Sequence, residues 1–328
     1  MPLSKIRDGS LQFWPRKRAD KILPSANWKS LENKMQLQEK KGLLKEKKAV
    51  GLNGFIGYKV SMASAFVKDL TPDSMVKNKK IIVPITVIEC PKMKIHSVRF
   101  YKKGIVLKDV VVSWEKDLKT KIRKPKQIKK LEAPADFDDI RVIAYSEVKT
   151  IGLKKNADLS EISLNGSKEE KLKYVHDKIG KEISISDVFK EGVLDIRGVT
   201  KGYGLQGPVK RFGISLKSHK SEKGVRRPGS LGAWHPARVT FKTPISGQTG
   251  FFTRVVYNGL IIKVGNIKEM NINDVQKGGF PHYGFVKGDY IALKGSVQGP
   301  QKRPLLMTTA LRPTKKTTKQ KYELIEFR

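Results

Sequence analysis

Two short stretches of the sequence combine tryptophan, arginine and lysine with glycine or proline. The first is Trp14-Pro15-Arg16-Lys17-Arg18, and the second is Gly232-Ala233-Trp234-His235-Pro236-Ala237-Arg238. Aromatic rings and guanidinium planes stack on unpaired RNA bases, and guanidinium groups also bind phosphate oxygens at two points. We therefore predict that both stretches contact RNA. The competing interpretations are a solvated basic tail for the first stretch and a buried core position for Trp234.

A third stretch, Gly202-Tyr203-Gly204-Leu205-Gln206-Gly207, has the glycine spacing of a dinucleotide-binding fingerprint. Such a site needs a helix that begins at the last glycines and an acidic residue about 20 residues later. Pro208 follows at once and the nearest later acid is Glu222, which argues against it. We predict instead that the glycines let the backbone approach a phosphate chain closely, because they carry no side chain.

The charge of the chain points to the same class of partner. The 328 residues contain 67 Lys+Arg and 31 Asp+Glu, a net charge of +36. Such a charge repels itself unless a polyanion neutralises it, and nucleic acid is the expected polyanion. An anionic membrane is the competitor. The sequence has no apolar run near the roughly 18 residues that a spanning helix needs, and its basic residues are spread rather than gathered beside one anchor.

Basic residues are densest between Arg197 and Arg254, where 12 Lys+Arg and ten glycines accompany a single acid, Glu222. The segment lacks helical periodicity, and a long loop of this kind is unusual inside a compact domain. We predict an extended finger that binds RNA. With the N-terminal stretch it supplies the candidate RNA-binding residues Trp14, Arg16, Lys17, Arg18, Lys201, Lys210, Arg211, Lys217, Lys220, Lys223, Arg226, Arg227, Trp234, His235, Arg238, Lys242 and Arg254.

Metal binding and catalysis find little support. His219 is the only potential ligand near His235, and the single cysteine, Cys90, lies in an apolar run and is predicted to be buried. We predict no metal site, no catalytic residue and no cofactor, apart from Mg²⁺ or K⁺ ions that RNA would hold. One alternative is an RNA-modifying or RNA-processing enzyme, which would need an acid or nucleophile beside the basic groove. Another is a free single-strand-binding module, which would carry aromatics on its strands rather than in loops.

The predicted fold is mainly β. Strand patterns cover residues 81–88, 96–112, 253–264, 285–294 and 305–310, with Pro84 indicating an edge or a bulge. Residues 51–112, 181–199 and 253–311 are predicted to form a β-barrel. The mixed-charge segment 113–180 interrupts it as a helical insertion far from RNA, with helices at 136–148 and 168–179. Residues 1–50 form an arm ordered only against a partner, and 312–328 form a basic tail.

The motifs together resemble one known family. Gly198-Val199-Thr200-Lys201-Gly202-Tyr203-Gly204 with Gly207-Pro208-Val209-Lys210-Arg211 resembles the signature of the L-three family (uL3) of large-ribosomal-subunit proteins. Three more stretches agree in order: residues 9–19, then 232–237, then Gly278-Gly279-Phe280-Pro281-His282-Tyr283-Gly284 leading to 294–300. The Trp-His-Pro sequence and the Pro-Arg-Lys-Arg sequence are similar to the archaeal and eukaryotic branch, and the short tail favours an archaeal source.

The resemblance implies a structural role without enzymatic activity. The family fold is a translation-factor-like β-barrel with extensions into large-subunit rRNA. The finger tip at Trp234 would reach towards the peptidyl transferase centre, and the protein would support subunit assembly. Its partners would be rRNA and neighbouring ribosomal proteins in cytoplasmic ribosomes, with no membrane and no homo-oligomer. Glu222 departs from the basic or histidine residues of that branch, which weakens the prediction of a strictly phosphate-lined path there.

Overall fold

The computed structural model describes residues 11–33, 50–128 and 130–328. It is mainly β, as predicted, and its chain divides into two compact units. Unit 1 takes in residues 199–254 and the N-terminal residues up to 21, and unit 2 takes in residues 22–198 and 255–328. The first ten residues and the basic run at 40–48 lie outside the described part of the chain.

The larger sheet of unit 2 has seven strands. They are β1 (Gly54–Asp69), β2 (Lys80–Cys90), β7 (Val193–Val199), β10 (Thr253–Asn266), β11 (Asp289–Lys294), β12 (Pro304–Thr309) and β13 (Tyr322–Phe327). Their order in the sheet is β12-β7-β10-β11-β2-β1-β13. An additional antiparallel pairing joins β12 to β1, with Gly54 opposite Thr308 and Tyr58 opposite Pro304.

Small residues in β1 let its neighbours approach closely. A β-carbon on Gly57 would lie 2.6 Å from Cγ2 of Ile88, and one on Gly54 would lie 2.8 Å from the indole of Trp28. Both distances are too short for real atoms, so glycine is required where β1 crosses the core. The core itself is built from β-branched and aromatic strand residues, and Cys90 is fully buried within it, as predicted.

A second sheet in unit 2 has four antiparallel strands. They are β3 (Met93–Lys102), β4 (Ile105–Val111), β5 (Asp139–Ser146) and β6 (Leu159–Ser163), and they lie in the order β4-β3-β5-β6. The predicted helix at 136–148 is wrong, because this segment is β5. Its residues alternate in burial from Asp139 to Ala144, with Ile140, Val142 and Ala144 buried, which is the period of a strand. The insertion 113–180 therefore contains two strands of this sheet, β5 and β6, beside one helix, and is not wholly helical.

The second predicted helix of this region is confirmed as Lys168–Lys178. It begins with a reciprocal capping box, in which the Ser167 hydroxyl accepts from Glu170 N–H and the Glu170 carboxylate accepts from Ser167 N–H. The remaining short elements of unit 2 are the helices Ile185–Val188 and Lys315–Lys319 and the 3-10 turns Lys116–Leu118 and Ile272–Val275.

The N-terminal arm is not uniform. Residues 28–33 are helical, and Trp28 and Leu31 are each only 2% exposed in the core of unit 2. The prediction that the whole segment 1–50 is ordered only against a partner is therefore wrong for residues 22–33. A tryptophan and a leucine three residues apart lie on one face of a helical turn. This apolar face packs the turn against the core.

One strand prediction also needs correction. The sequence predicts the last strand at 305–310, but β13 follows within the predicted basic tail and pairs with β1. Pro84 is predicted at an edge or bulge, and although β2 lies between β1 and β11, Pro84 is at a local edge on the β11 side. Proline is tolerated there because the β11 ladder stops at the pair Ile85–Lys294, so the missing N–H interrupts no bond on that side.

Candidate nucleic-acid interface

Unit 1 is built on a short two-stranded stem. β8 (Gly202–Gln206) pairs with β9 (Gly247–Gly250), with Gly202 opposite Gly250 and Gln206 opposite Gly247. Gly250 has a φ of +69°, and a β-carbon there would lie 2.0 Å from the Lys201 carbonyl oxygen. No other residue fits this position. Glycines thus allow the close pairing of the two strands at the base of the predicted finger.

A one-turn helix, Pro208–Phe212, follows β8 directly. In the sequence Pro208 argues against a helix here, but it occupies the first helical position, where no N–H is needed. The helix ends at Gly213, which adopts the left-handed conformation with φ of 66°. With five residues it is far shorter than the helix of a dinucleotide-binding fold, so that interpretation stays unsupported.

The helix presents Arg211 to the backbone of its own unit. Its Nε donates to the Gln248 carbonyl at 3.0 Å, and its Nη1 donates to the Ile245 carbonyl at 3.0 Å. Arg211 and Arg16 also bond each other's backbone: Nη2 of Arg211 donates to the Arg16 carbonyl, and Nη1 of Arg16 donates to the Arg211 carbonyl at 2.8 Å. These two guanidinium groups therefore hold the N-terminal stretch onto the base of the finger.

Aromatic rings fill the space between these arginines. Trp14 stacks on Phe212 with ring centroids 5.7 Å apart, and Phe241 meets Trp14 edge-on at 6.0 Å. The Arg16 guanidinium lies 4.3 Å from the Phe212 ring centre and 5.1 Å from that of Trp14. Such cation–π contacts stabilise each partner by about 0.5–2 kcal/mol. Trp14 is half-buried, so its ring serves packing within unit 1 as well as any stacking on RNA.

A second arginine–aromatic group lies beside the first. The Arg254 guanidinium is 4.5 Å from the Phe13 ring centre and 5.1 Å from that of Phe252, while Arg18 lies over Phe251 at 5.0 Å. Residues 12–20 and 252–254 line a pocket of about 350 Å³ here. The pocket offers aromatic faces and arginine planes together, the surfaces on which nucleobases stack.

Positive charges lie close together at these arginines. Burial and the nearby Arg16 lower the pKa of Arg211, and the same two causes lower the pKa of Arg254. The guanidinium groups remain charged at any physiological pH. Their mutual repulsion is a cost that a bound polyanion would relieve.

Beyond the stem, residues 213–246 form turns and irregular backbone. One turn is closed by the bond from Lys217 N–H to the Val225 carbonyl at 3.1 Å, and it carries exposed lysines. At the tip Trp234 is 87% exposed. Residues 231–234 and 237–239 line an open pocket of about 370 Å³ beside it. The competing interpretation of Trp234 as a core residue is therefore wrong.

The candidate RNA-binding residues divide by exposure. Four are half-buried at the base of the finger: Trp14, Arg16, Arg211 and Arg254. The other 13 are exposed: Lys17, Arg18, Lys201, Lys210, Lys217, Lys220, Lys223, Arg226, Arg227, Trp234, His235, Arg238 and Lys242. Arg197, at the predicted start of the finger, belongs to unit 2, where it is 8% exposed and its guanidinium donates to the Thr308 hydroxyl.

Sequence reasoning left three exposed aromatic residues of unit 1 out of the candidate site, of which Phe13 lies against the Arg254 guanidinium. Tyr203 is 50% exposed with the Lys210 ammonium 5.5 Å from its ring centre, and Phe241 is 65% exposed. Tyr203 could have been found from its flanking glycines, which leave a large ring uncovered. Phe241 has no such signal, because its contact with Trp14 joins distant parts of the chain.

No cluster of three or more His, Cys, Asp or Glu side chains suited to a metal ion occurs among residues 11–33, 50–128 and 130–328. Within the same residues no helix is long and apolar enough to cross a membrane. What unit 1 can do chemically is to bind anions and to stack on planar rings.

Known proteins resemble this chain along its whole length. The family described as Ribosomal protein L3 matches residues 1–125 and 102–327. The chain is 37% identical to Large ribosomal subunit protein uL3 of Methanocaldococcus jannaschii, over 95% of this chain and 92% of that protein. It is 39% identical to the uL3 protein of Archaeoglobus fulgidus, over 96% and 94% respectively. The chain belongs to the ribosomal protein L3 family.

Membership of the L3 family confirms the resemblance seen in the motifs. A third relative, the uL3 protein of Nanoarchaeum equitans, is 36% identical over 98% of this chain and 95% of its own length. All three relatives are archaeal, in agreement with the predicted branch. The L3 family is a family of structural, non-enzymatic proteins, and the alternative of an RNA-modifying enzyme finds no support.

Proposed function

We propose that this protein is a structural constituent of the large ribosomal subunit and that unit 1 is its main rRNA-binding element. The observation that carries the proposal is the exposed basic surface of the finger, where Glu222 is the one acid between residues 199 and 254. Phosphate contacts by these side chains would supply most of the affinity, and their geometry would fix the register on the RNA.

Within unit 1 the basic side chains take two roles. Arg16 and Arg211 donate to backbone carbonyls and are positioning residues for the finger. The exposed lysines and arginines between 217 and 242 are the phosphate ligands. The pocket beside Arg254 and Phe252 supplies a stacking surface for an unpaired base. This division differs from a uniform phosphate-binding segment, because the half-buried arginines are already engaged within the protein.

The finger tip has a positional function. The L3 resemblance implies that Trp234 reaches towards the peptidyl transferase centre and the aminoacyl-tRNA path, and its 87% exposure leaves the indole available for such a contact. The tip holds no catalytic group. It would act by supporting the local shape of rRNA, and the same contacts would help early subunit assembly.

Unit 2 would carry the translation-factor-like barrel of the family. The ladder β12-β7-β10-β11-β2-β1 returns to β12 through the β1–β12 pairing, which supports a closed six-stranded arrangement with β13 attached outside. In the ribosome of the cytoplasm, neighbouring ribosomal proteins would complete the surroundings. Any Mg²⁺ or K⁺ at the interface would be held by rRNA.

The test is retention of the full chain on large-subunit rRNA through a high-salt wash. One variant replaces Lys217, Lys220, Lys223, Arg226 and Arg227 with Gln. A matched control replaces five exposed lysines of unit 2, namely Lys103, Lys119, Lys173, Lys181 and Lys190, with Gln. We expect the control to remain bound and the finger variant to be released at about half the salt concentration. Equal retention of both variants would contradict the proposal.

A further inference from the structure

A second basic surface lies in unit 2, where the C-terminal segment returns to the end of β1. The loop between β1 and β2 bonds directly to the residues before β13: Leu70 N–H donates to the Lys321 carbonyl at 2.9 Å, and Lys321 N–H donates to the Thr71 hydroxyl at 3.2 Å. The second pair is 250 residues apart in the sequence. Only the folded chain brings their side chains together.

Seven exposed lysines occupy these two segments and the start of β2, and we name them the C-terminal lysine surface: Lys77, Lys79, Lys80, Lys315, Lys316, Lys319 and Lys321. Among the residues that the structure describes, the one ion pair within this surface joins Lys319 to Asp73 at 3.6 Å. Asp69 lies nearby but is buried, and its carboxylate already accepts from Thr71 N–H and the Ser74 hydroxyl. Most of the positive charge is thus left for a partner.

The sheet places like charges directly opposite each other at this surface. Lys68 of β1 is the cross-strand partner of Lys80 of β2. Such a pair is destabilising when nothing neutralises it. Glu323 of β13 stands opposite Lys68 on the other side and offsets part of the repulsion. The arrangement is one that binding of a polyanion would stabilise.

The side-chain chemistry differs from that of unit 1. The C-terminal lysine surface has no arginine and no exposed aromatic ring, since the nearby Tyr322 is half-buried and its ring lies under the Lys294 ammonium at 4.6 Å. Lysines bind phosphates as point charges, without the planar fork or the stacking face of arginine. They suit a regular row of phosphates better than unpaired bases.

We propose that the C-terminal lysine surface is a second RNA-binding site, which takes the phosphate backbone of an RNA duplex. The proposal rests on the proposed function, because it assumes that the partner is large-subunit rRNA. Double-stranded RNA is recognised mainly by shape and by its phosphates and sugars, which needs no aromatic platform. The two sites would therefore bind different RNA structures, since unit 1 takes irregular RNA and this surface takes a helix.

The experiment measures the affinity of the full chain for a blunt RNA duplex and for its single strand across a salt series. The variant replaces Lys77, Lys79 and Lys316 with Gln, and the matched control replaces Lys173, Lys181 and Lys190 with Gln. For the variant we expect the slope of log K against log salt to flatten by roughly 2–3 on the duplex, with little change on the single strand. The control should retain the native slope, and thermal unfolding should be unchanged in both.

An unchanged duplex slope in the variant would overturn the second site. So would a variant that binds RNA normally but loses binding to vesicles containing anionic phospholipid, since the surface would then serve a membrane. The five-residue finger variant is measured in parallel. If the finger variant loses RNA binding and the lysine variant does not, the second site alone fails. If the finger variant keeps its binding, the proposed function of unit 1 fails independently.

Discussion

The finger in unit 1 and the four-stranded sheet in unit 2 both carry many basic residues, but they neutralise them differently. In the sheet Lys94 pairs with Glu147 at 2.5 Å, and Arg99 pairs with Asp109 at 2.8 Å. In unit 1 no ion pair joins two of the described residues, and its half-buried Arg16 and Arg211 lie against carbonyl oxygens and aromatic rings instead.

This difference in charge pairing predicts which basic residues contribute to folding stability and which contribute to RNA binding. Charges paired within the protein are already compensated, so their loss should be seen in folding. Charges without an internal partner repel each other and are compensated only in a complex, so their loss should be seen in affinity and in its salt dependence. Counts of lysine and arginine along the sequence do not distinguish the two cases.

The largest contrast is expected between two tryptophans. Trp28→Ala should lower the free energy of unfolding by about 3–5 kcal/mol, because it leaves a cavity where the indole is 2% exposed. Trp234→Ala should change it by less than about 0.5 kcal/mol, because that ring is 87% exposed, and should impair translation by ribosomes that contain the variant. Chemical denaturation measures both values. A large loss of stability for Trp234→Ala would show that the tip packs on the protein.

Asp158 tests the ion pairs of unit 2. Its carboxylate accepts from the Tyr58 hydroxyl at 2.6 Å and the Lys121 ammonium at 2.9 Å, and it also contacts Lys154. Asp158→Ala should cost about 1–3 kcal/mol of stability, since the buried Tyr58 hydroxyl loses its acceptor. Asp177→Ala, at an exposed position of the helix Lys168–Lys178, is the matched control and should be nearly neutral. Similar losses in both would mean that net charge rather than pairing matters.

Elements of the fold could be predicted where their sequence signal is local, and were missed where contacts between distant parts of the chain form them. Strands β3, β4, β10 and β12 were predictable, because their runs of apolar and β-branched residues are a local signal. The segment 136–148 was wrongly predicted to be a surface helix because of its charges. Its residues Ile140, Val142 and Ala144 are instead buried by neighbouring strands. β13 was missed for a related reason. Its residues form a strand only because β1, far earlier in the chain, offers an edge to pair with.

At the candidate site, too, contacts between distant parts of the chain could not be predicted from the sequence. Residue types predicted which side chains of unit 1 are exposed at its tip, including Trp234 and Arg238. They could not predict that Arg16 and Arg211 bond each other's carbonyls, because that pairing spans 195 residues. Local chemistry therefore predicted the candidate interface, while the contacts that shape it could be seen only in the fold.

Removing charge from the finger should affect binding alone. Replacing Arg226 and Arg227 with Ala should flatten the salt dependence of rRNA binding by about two counterion units and weaken binding by about tenfold at physiological salt. Both side chains are exposed, so thermal unfolding should stay within about 0.5 kcal/mol of the native protein. A filter-binding salt series measures the slope. An unchanged slope would mean that these arginines face solvent in the complex.

The smallest expected effect concerns pH and the ion pairs behind the four-stranded sheet. Burial, and then the charge of Asp139, raise the pKa of Glu32 from 4.5 to about 7, although Arg141 lies 3.6 Å away. A raised pKa means that the folded state binds the proton more tightly. The contribution of Glu32 to stability is therefore full below about pH 4.5 and is lost as the pH rises to about 7.

Glu32→Gln should remove this dependence. At pH 8 the variant should be more stable than the native protein by about 1–3 kcal/mol, and the difference should disappear near pH 4. The exposed Glu191→Gln should show no such trend. Denaturation at a series of pH values measures all three proteins. A difference that does not change with pH would mean that Glu32 keeps its charge through its contact with Arg141, so that this pair resembles the other compensated pairs of the sheet.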